Sequence, residues 1–311
     1  MNATKPLMSI VVITYNSSKT VIDTLESAKA QTYQNIELII SDDGSTDDTV
    51  EICNNWLEKN KDRFISTELI TVSANTGIPA NCNRGFIAAK GEWLKGIAGD
   101  DALLPDCIEL NYNYVTENKE IDILLSEMEL YNNTFTDENL TGYFRIDKSN
   151  SFFTSESSAD YQFRKLLIAD IISVTPTLFI NKSIIEKEGY FDERFRHVED
   201  YPFWLKITKL GYKIYFMDTV TVKYRKHNQS IHNNNEIIFL RPAYYKNEAI
   251  RERYVYPYLS ITKFIYQKYC YYWALLFRLV NKNRYDWLSF RLYNLLTFKS
   301  SIYKKLIGEQ K

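Results

Sequence analysis

Short apolar runs alternate with amphipathic segments along the first 105 residues. The β-branched run MSIVVITYN predicts a buried strand, and the apolar residues of the segment SSKTVIDTLESAKAQ fall on one helical face. The runs IELIISDD and TELITVS predict two more strands, and a loop and a helix then lead to a fourth strand that ends in WLKGIAGDD. This order predicts an α/β fold with a mostly parallel sheet flanked by helices.

A helix opening is predicted between the second and third strands. Ser45 and Asp48 have the Ser/Thr-x-x-Asp/Glu spacing of a capping box, and an apolar periodicity follows them. The sequence therefore predicts that the second helix begins at this pair.

Polar side chains follow each of the four predicted strands. Ligands of parallel sheets bind outside the carboxyl ends of the strands, so these residues predict a ligand site. Each group alone also fits a local structure, because residues 42–45 suit a turn with a cap and residues 100–105 suit a loop before a helix near Asp106. The polar residues are Tyr15 and Asn16, Asp42 and Asp43, Asn75 and Gly77, and Asp100 and Asp101.

Length and composition are those of an enzyme-sized globular protein, with 311 residues and 45% hydrophobic content. No uncharged apolar stretch reaches the length of a membrane span, and the N-terminus lacks the pattern of a signal peptide. We therefore expect a cytoplasmic protein. The four cysteines have no metal-finger spacing, and we expect them to be reduced.

Charge and aromatic residues are distributed unevenly along the chain. Residues 241–311 hold 14 Lys and Arg against 4 Asp and Glu, a net charge of +10, although the whole chain has a net charge of −1. The same segment holds 18 of the 46 aromatic residues. The composition thus predicts a domain boundary near residue 241.

Five motifs occur in an order and spacing that resemble the family 2 glycosyltransferases of the GT-A fold. The resemblance covers residues 8–230 and implies a nucleotide-sugar-binding half at 1–105 and an acceptor-binding half at 106–240. Residues 241–311 would then form a helical C-terminal extension. The motifs are SIVVITYNS, IISDDGSTDDT, NTGIPANCNRGFIAAKGEWL, GDDALLP and GYFDERFRHVEDYPFWLKI.

By this resemblance, Asp100 is a ligand of Mg²⁺ or Mn²⁺, and Asp101 beside it contributes to donor binding. Such a cation neutralises the charge that develops on a departing nucleoside diphosphate, and hard cations prefer oxygen ligands. The family motif usually has a further aspartate where this chain has Ala98. A carboxylate expected near the ribose hydroxyls is therefore missing.

The resemblance also assigns residues to the nucleotide. Asp43 matches the aspartate that accepts a hydrogen bond from the uracil imide, Tyr15 matches the ring that stacks near the base, and Asn75 lies at the same edge. Cys82 stands where an arginine is frequent in the family, and Arg84 either supplies that charge or is a solvated helix residue. A pyrimidine nucleotide is implied.

A general base is expected in the segment HVEDYPFWLKI. Phe203, Trp204 and Ile207 predict a helix that begins near Glu199 and Asp200, where the helix dipole stabilises ionised carboxylates. The resemblance places the base on Asp200, which would take the proton of the acceptor hydroxyl. Alternatively, the pair caps the helix, and Glu199 is the second candidate for the base.

Four further residues are implied less directly by the resemblance. His227 is expected to complete the metal or diphosphate site, with Arg225 close to the phosphates. Thr175 and Thr177 are candidate contacts to the donor sugar.

The basic C-terminal segment predicts aromatic helices that suit the surface of an anionic membrane. Its alternatives are a helical cap packed on the catalytic domain and a dimer contact. The cations that interrupt the apolar pattern are Lys263, Lys268, Arg278, Arg284 and Arg291.

These features together predict a metal-dependent inverting hexosyltransferase. Its donor would be a UDP-sugar and its acceptor a polyprenyl-diphosphate-linked saccharide, as in O-antigen, lipopolysaccharide or capsule assembly. The alternatives are an inactive nucleotide-sugar-binding scaffold, consistent with Ala98, and a nucleotidyltransferase, disfavoured because no GxGxR motif follows the first strand. No nucleic-acid-binding module is recognisable. The hexose, the linkage and the oligomeric state are left open.

Overall fold

A computed structural model describes residues 5–145, 152–226, 247–280, 282, 284 and 287–297. These residues form two compact units. The first contains the described residues up to 166 and from 170 to 226, and the second contains residues 167–169 and the described residues from 247 onward.

The first half of unit one is a run of alternating strands and helices. The strand order is β3-β2-β1-β4, and all three pairings are parallel. This confirms the predicted alternation and the parallel sheet for this half of the unit. The elements are β1 (Met8–Thr14), α1 (Val21–Lys29), β2 (Ile36–Asp42), α2 (Thr49–Asn60), β3 (Thr67–Thr71), α3 (Ile78–Ala88) and β4 (Trp93–Ala98).

Beyond β4 the sheet becomes mixed. It continues as β8-β6-β9-β5, with β7 paired to β6; β8 is antiparallel to both β4 and β6, whereas β9 is parallel to β6. The fold is α/β with a mixed sheet flanked by helices. The elements are β5 (Ala102–Leu103), α4 (Cys107–Glu117), β6 (Ile123–Asn132), β7 (Leu140–Phe144), α5 (Ala159–Leu166), β8 (Phe179–Asn181), α6 (Lys182–Glu188), α7 (Asp200–Lys209) and β9 (Tyr215–Lys226).

The core of unit one lies on both faces of the central strands. All seven residues of β2 are buried, as expected for a strand covered by helices on both sides. Trp93 of β4 stacks on Phe179 of β8, with ring centroids 5.0 Å apart. This contact ties the parallel half of the sheet to the mixed half.

Helix α2 begins later than the capping-box spacing predicts. Its N-cap is Asp48, whose side chain makes no capping hydrogen bond, and the carboxylate of Asp47 accepts the backbone N–H of Thr49 at 3.1 Å instead. Ser45 donates its hydroxyl to Asp42 at 2.5 Å. The predicted pairing of Ser45 with Asp48 is therefore wrong, because the preceding strand end recruits Ser45 into a turn.

The second unit is helical, as predicted. Its helices are α8 (Glu248–Tyr254), α9 (Ile261–Val280) and α10 (Trp287–Leu296), with a 3₁₀ turn at Tyr256–Tyr258. Ala274, Phe277 and Tyr293 form a buried cluster between α9 and α10. Among the described residues, no helix is both long and apolar enough to cross a lipid bilayer.

Candidate active site

The ends of three adjacent parallel strands bring the first candidate residues to one edge of the sheet. Thr14 is in register with Asp42, and Ile13 is in register with Ala98. Tyr15, Asp43 and Asp100 follow these strand ends within two residues. Tyr15 is 47% exposed, so its ring is accessible to a ligand.

Asp42 supports the turn after β2. Its carboxylate accepts the hydroxyl of Thr14 at 2.9 Å and the backbone N–H of Ser45 at 2.8 Å. Asp42 is fully buried. The expected support of the turn by Asp42 is confirmed.

Asp43 is held by a dense set of donors. Its carboxylate accepts the backbone N–H of Thr76 at 3.0 Å, the backbone N–H of Gly77 at 2.8 Å and a guanidinium N–H of Arg84 at 2.9 Å. Burial alone would raise the pKa of Asp43, but the bonds from Thr76, Gly77 and Arg84 outweigh it and lower the pKa. Asp43 is therefore a fixed, ionised acceptor.

Arg84 belongs to the site and is not a solvated helix charge. Its side chain is 20% exposed and forms an ion pair with Asp43. Cys82, on the same helix, is buried. The side chain of Arg84 is thus directed to Asp43, and its contact with the nucleotide stays a prediction.

The loop before α3 requires a glycine at Gly77. Its φ is +104°, and an added Cβ would lie 2.8 Å from the carbonyl oxygen of Arg196. That carbonyl accepts the backbone N–H of Ile78 at 2.9 Å, and Arg196 in turn donates to the carbonyl of Asn75 at 2.9 Å. The loop that holds Asp43 is therefore fastened to the segment before α7.

A cavity of about 580 Å³ opens beside this loop. Asn75 and Arg84, both predicted nucleotide contacts, line it together with Thr76. The cavity also brings Arg194 and Arg196 next to α3. The site around Asp43 thus has an open space at its side.

The two aspartates after β4 have different environments. Asp100 is partly exposed, whereas Asp101 is 2% exposed and accepts the backbone N–H of Arg225 at 2.9 Å. Burial and the neighbouring charge of Asp100 raise the pKa of Asp101 well above its ordinary value. Contact of Asp101 with the donor stays a prediction, and its observed role is to hold the loop to β9.

Arg225 is a buried clamp on the same loop. It is 3% exposed, and its guanidinium donates to the carbonyl of Asp100 at 2.7 Å, to the carboxylate of Asp23 at 2.6 Å and to the carbonyl of Asn133. A phosphate contact by Arg225 stays a prediction. No local pattern links Arg225 to Asp100, which lies 125 residues earlier, so sequence reasoning missed this clamp.

Asp200 is the first residue of α7, as the apolar periodicity predicts. Its carboxylate accepts the hydroxyl of Thr175 at 2.7 Å and the backbone N–H of Tyr201 at 2.7 Å. The loss of solvation and the charges of Asp200 and Asp170 raise the pKa of Glu199 to about 8. The pKa of Asp170 rises to about 7 for the same reasons, loss of solvation and the charge of Asp200. Three carboxyl groups are thus crowded at one helix start.

Thr177 does not contact the donor sugar. It is fully buried, donates to the carbonyl of Val174 at 2.7 Å and accepts the backbone N–H of Ser126 at 2.9 Å. The prediction for Thr177 is wrong because its hydroxyl anchors the turn to β6. Sugar contact by Thr175 stays a prediction.

Helix α3 is bonded to the segment that precedes α7. The carbonyl of Arg196 accepts the backbone N–H of Ile78 at 2.9 Å, and the amide of Asn83 donates to the carbonyl of Phe191 at 2.9 Å. Cys82 lies on the same helix, and burial raises the pKa of its thiol well above the ordinary value.

One side chain at the end of β4, that of Asp100, is of the type that a divalent cation binds, and metal binding there stays a prediction. Mg²⁺ is usually bound through one or two carboxylates together with substrate phosphates and water, and Asp100 presents such a carboxylate on a loop fixed by Arg225. In the described part of the chain, no cluster of three His, Cys, Asp or Glu side chains forms a complete metal site. His227, the second predicted ligand, lies outside the described residues.

Relatives and solved structures place these features in context. The chain is 30% identical to an uncharacterized glycosyltransferase of Rickettsia prowazekii, over 73% of this chain and 66% of that protein. It is 29% identical to glycosyltransferase GlyG of Streptococcus pneumoniae, over 72% of each chain.

The fold resembles that of S. aureus TarS. The crystal structure of TarS 1-349 superposes with a TM-score of 0.56 at 20% identity, and its complex with UDP-GlcNAc superposes with a TM-score of 0.57 at 20% identity. The alignments cover 70% and 79% of this chain and 60% and 65% of those chains. The sequence profile of Glycosyl transferase family 2 matches residues 9–173, and the chain belongs to this family.

Proposed function

We propose that this glycosyltransferase transfers a hexose from a UDP-sugar, with inversion, to a polyprenyl-diphosphate-linked saccharide. The observation that carries the proposal is the arrangement of Tyr15, Asp43 and Asp100 at adjacent strand ends, with Asp200 at the start of α7, whose preceding segment bonds to the first residue of α3. In this arrangement Asp43 would accept a hydrogen bond from the nucleobase, Asp100 would lie at the diphosphate, and Asp200 would accept the proton of the acceptor hydroxyl.

The nucleotide would bind at the Asp43 side. The ionised carboxylate, fixed by backbone N–H groups and Arg84, is suited to accept the imide N–H of uracil. Tyr15 would stack on the base, and Asn75 and Arg84 would contact the nucleotide from the adjacent cavity. UDP and UDP-GlcNAc are also ligands in the crystal structures of the fold neighbour TarS.

Asp100, Asp101 and His227 would surround the diphosphate end, with Asp100 and His227 as ligands of Mg²⁺ or Mn²⁺. The bound cation would supply Lewis-acid stabilisation of the departing diphosphate. Arg225 fixes the carbonyl of Asp100, and through it the direction in which Asp100 points. In this way the buried guanidinium of Arg225 would set the geometry of the partly exposed Asp100.

Asp200 would act as the general base toward the acceptor hydroxyl. Thr175 and the N–H of Tyr201 orient its two oxygens. Loss of solvation and the charge of Asp200 raise the pKa of Glu199, which makes Glu199 the less suitable proton acceptor of the pair.

Because the acceptor carries a lipid, the enzyme would act at the inner surface of the membrane. The basic C-terminal segment would bind this surface peripherally. Helices α9 and α10 carry exposed apolar residues, such as Ile265, Leu279 and Trp287. Exposed cations lie close to them in the sequence, with Arg284 between the two helices and Arg291 on α10. Lys268 is not available for this role, because it pairs with Glu248 at 2.7 Å and Glu252 at 2.9 Å.

A nucleotide-release assay tests the activity. UDP-, GDP- and dTDP-sugars, beginning with UDP-GlcNAc, are offered with a synthetic lipid-diphosphate monosaccharide and Mg²⁺ or Mn²⁺. We expect acceptor-dependent release of UDP and an elongated saccharide. Binding of UDP without release would favour the inactive scaffold, and formation of a nucleotide sugar with release of pyrophosphate would favour a nucleotidyltransferase.

Vesicle co-sedimentation tests the membrane contact. Changing the exposed Lys282, Arg284 and Arg291 to Gln should weaken binding to phosphatidylglycerol vesicles by about 10²-fold, since each cation near an anionic surface contributes about 1 kcal/mol. The matched control changes three exposed lysines of unit one, Lys59, Lys61 and Lys90. Equal loss in both variants, or binding that salt does not release, would contradict a specific contact.

A further inference from the structure

A lysine is fully buried in the centre of the sheet. Lys95 lies on β4, which pairs with β1 on one side and β8 on the other, and its side chain is 0% exposed. Burial lowers its pKa to about 8, although nearby negative groups, including Asp101, act in the opposite direction. Lysine is almost never fully buried unless it is paired, because removing an ammonium from water is costly.

The partners of Lys95 are backbone carbonyls and not a carboxylate. Its ammonium donates to the carbonyl of Pro176 at 2.7 Å and lies 3.4 Å from the carbonyl of Leu178. Both belong to the 3₁₀ turn Thr175–Thr177 and the residue after it, which lead into β8. Lys95 therefore fixes this turn from the side of β4.

The same turn carries the side chain that orients the candidate base. Thr175 donates its hydroxyl to Asp200 at 2.7 Å. On the other side of the turn, Thr177 is anchored to Ser126 of β6 at 2.9 Å. The turn is thus held by β4 and β6, and the hydroxyl of Thr175 in this turn bonds to Asp200.

The lysine at this position is tied to one carbonyl. A methionine of similar volume would avoid the cost of burying an ammonium but would leave the carbonyl of Pro176 without this donor. A charged donor does add directionality, because it fixes the carbonyl of Pro176 and hence the backbone that carries Thr175.

We infer that Lys95 is a positioning residue, which orients Asp200 through the Thr175–Thr177 turn. This inference rests on the proposed role of Asp200 as general base. A base acts only within hydrogen-bond reach of the proton it accepts, and a misplacement of about 1 Å reduces the rate by up to about 10²-fold.

The test measures steady-state kinetics of full-length variants with the donor and acceptor that support turnover. Lys95→Met should lower kcat by about 10-fold to 10²-fold while leaving the KM of the UDP-sugar and the Kd of UDP unchanged. Thr175→Val should do the same, and Thr175→Ser, which keeps the hydroxyl, should restore kcat. The double variant Lys95→Met with Thr175→Val should be no slower than the slower single variant, because both act through one contact.

Lys206→Met is the matched control. Lys206 lies on the helix of Asp200 and donates to the carbonyls of Gly189 and Tyr190 at 2.5 and 2.8 Å, so its loss also removes a lysine from backbone carbonyls. We expect its kcat to match that of the wild type. Equal loss of kcat in Lys206→Met and Lys95→Met would overturn the inference.

Two other results would also overturn it. One is an unchanged kcat in Lys95→Met, or additive losses in the double variant. The other is loss of the folded state, by circular dichroism, in both Lys95→Met and Lys95→Gln, which would assign Lys95 to stability. Failure of the proposed function has a different signature, because Asp200→Asn would then retain turnover or no sugar nucleotide would react.

Discussion

Carboxylates lie in opposite environments on the two sides of the site: the proposed nucleotide side around Asp43, and the proposed base side around Glu199 and Asp200. On the nucleotide side, N–H donors from Thr76 and Gly77 and the guanidinium of Arg84 lower the pKa of Asp43. On the base side, loss of solvation and the charges of Asp200 and Asp170 raise the pKa of Glu199 to about 8. The donors around Asp43 stabilise its ionised form, whereas the surroundings of Glu199 disfavour its ionisation.

This difference follows from what surrounds each carboxylate. The Asp43 side is built from a loop whose backbone N–H groups point inward, a fixed arrangement that is suited to bind a ligand donor in one orientation. The base side crowds acidic groups at the start of α7, so the proton of one carboxyl becomes linked to the charge of another. Nucleotide binding and proton transfer can therefore be tested by separate substitutions on the two sides.

The largest expected effect is at the base. Asp200→Asn keeps the size of the side chain but removes the proton acceptor, and we expect kcat to fall by about 10² to 10⁴-fold. The Kd of UDP, measured by calorimetry, should be unchanged because the nucleotide side is intact. An Asn variant with wild-type kcat would move the base elsewhere, and Glu199→Gln would then be the next variant to measure.

Loss of the metal ligand should have the next largest effect. Asp100→Ala removes an oxygen ligand and its charge, and a loss of several kcal/mol of transition-state stabilisation corresponds to about 10³-fold in kcat. EDTA should reduce wild-type activity similarly, and added Mn²⁺ should restore the wild type but not the variant. Full activity in the presence of EDTA would show that the reaction needs no divalent cation.

Asp43→Asn should separate the two sides. It removes the charge that pairs with Arg84 while leaving Asp200 in place, and each hydrogen bond to a charged group contributes about 1.5–3 kcal/mol. We expect the Kd of UDP to rise by about 10-fold to 10²-fold. Asp47→Asn is the control, because Asp47 is also held by loop donors, from Ser18 and Thr49, but is assigned no ligand contact. Equal weakening in both variants would mean that Asp43 acts only through loop stability.

Sequence patterns predicted the parts of this site that depend on local order. The strands before Asp43 and Asp100 and the helix after Glu199 follow from apolar periodicity, and their carboxylates lie at the predicted ends. The antiparallel insertion of β8 between β4 and β6 was not predicted, because a three-residue strand gives almost no periodic signal.

Long-range contacts explain most of the remaining differences. Arg225 reaches the loop of Asp100, and Lys95 reaches the carbonyl of Pro176, from positions 125 and 81 residues away. Such pairings depend on the tertiary fold and leave no local pattern. The lysine within the apolar run WLKGIA was nevertheless a visible signal, because a charge in the middle of a buried strand requires a partner.

The smallest expected effect concerns pH and stability, and it has opposite signs for Glu199 and Asp47. The raised pKa of Glu199 means that the folded protein holds a proton that the unfolded chain releases above about pH 4.5, so this stabilisation is present at low pH and is lost as the pH rises toward about 8. Glu199→Gln lacks this titration, and its melting temperature should therefore rise relative to the wild type between pH 5 and pH 8.

Asp47 provides the contrasting measurement. Although its partial burial acts to raise the pKa, hydrogen bonds from Thr49 and Ser18 lower it to about 2, so its stabilisation is present above the ordinary pKa near 3.8 and is lost as the pH falls toward 2. The melting temperature of Asp47→Asn should therefore lie below that of the wild type at pH 7 and approach it at low pH. Each 1 kcal/mol corresponds to about 2–4 °C for a domain of this size, which scanning calorimetry resolves. If both variants shifted with pH in the same direction, the opposite signs expected for Glu199 and Asp47 would not hold.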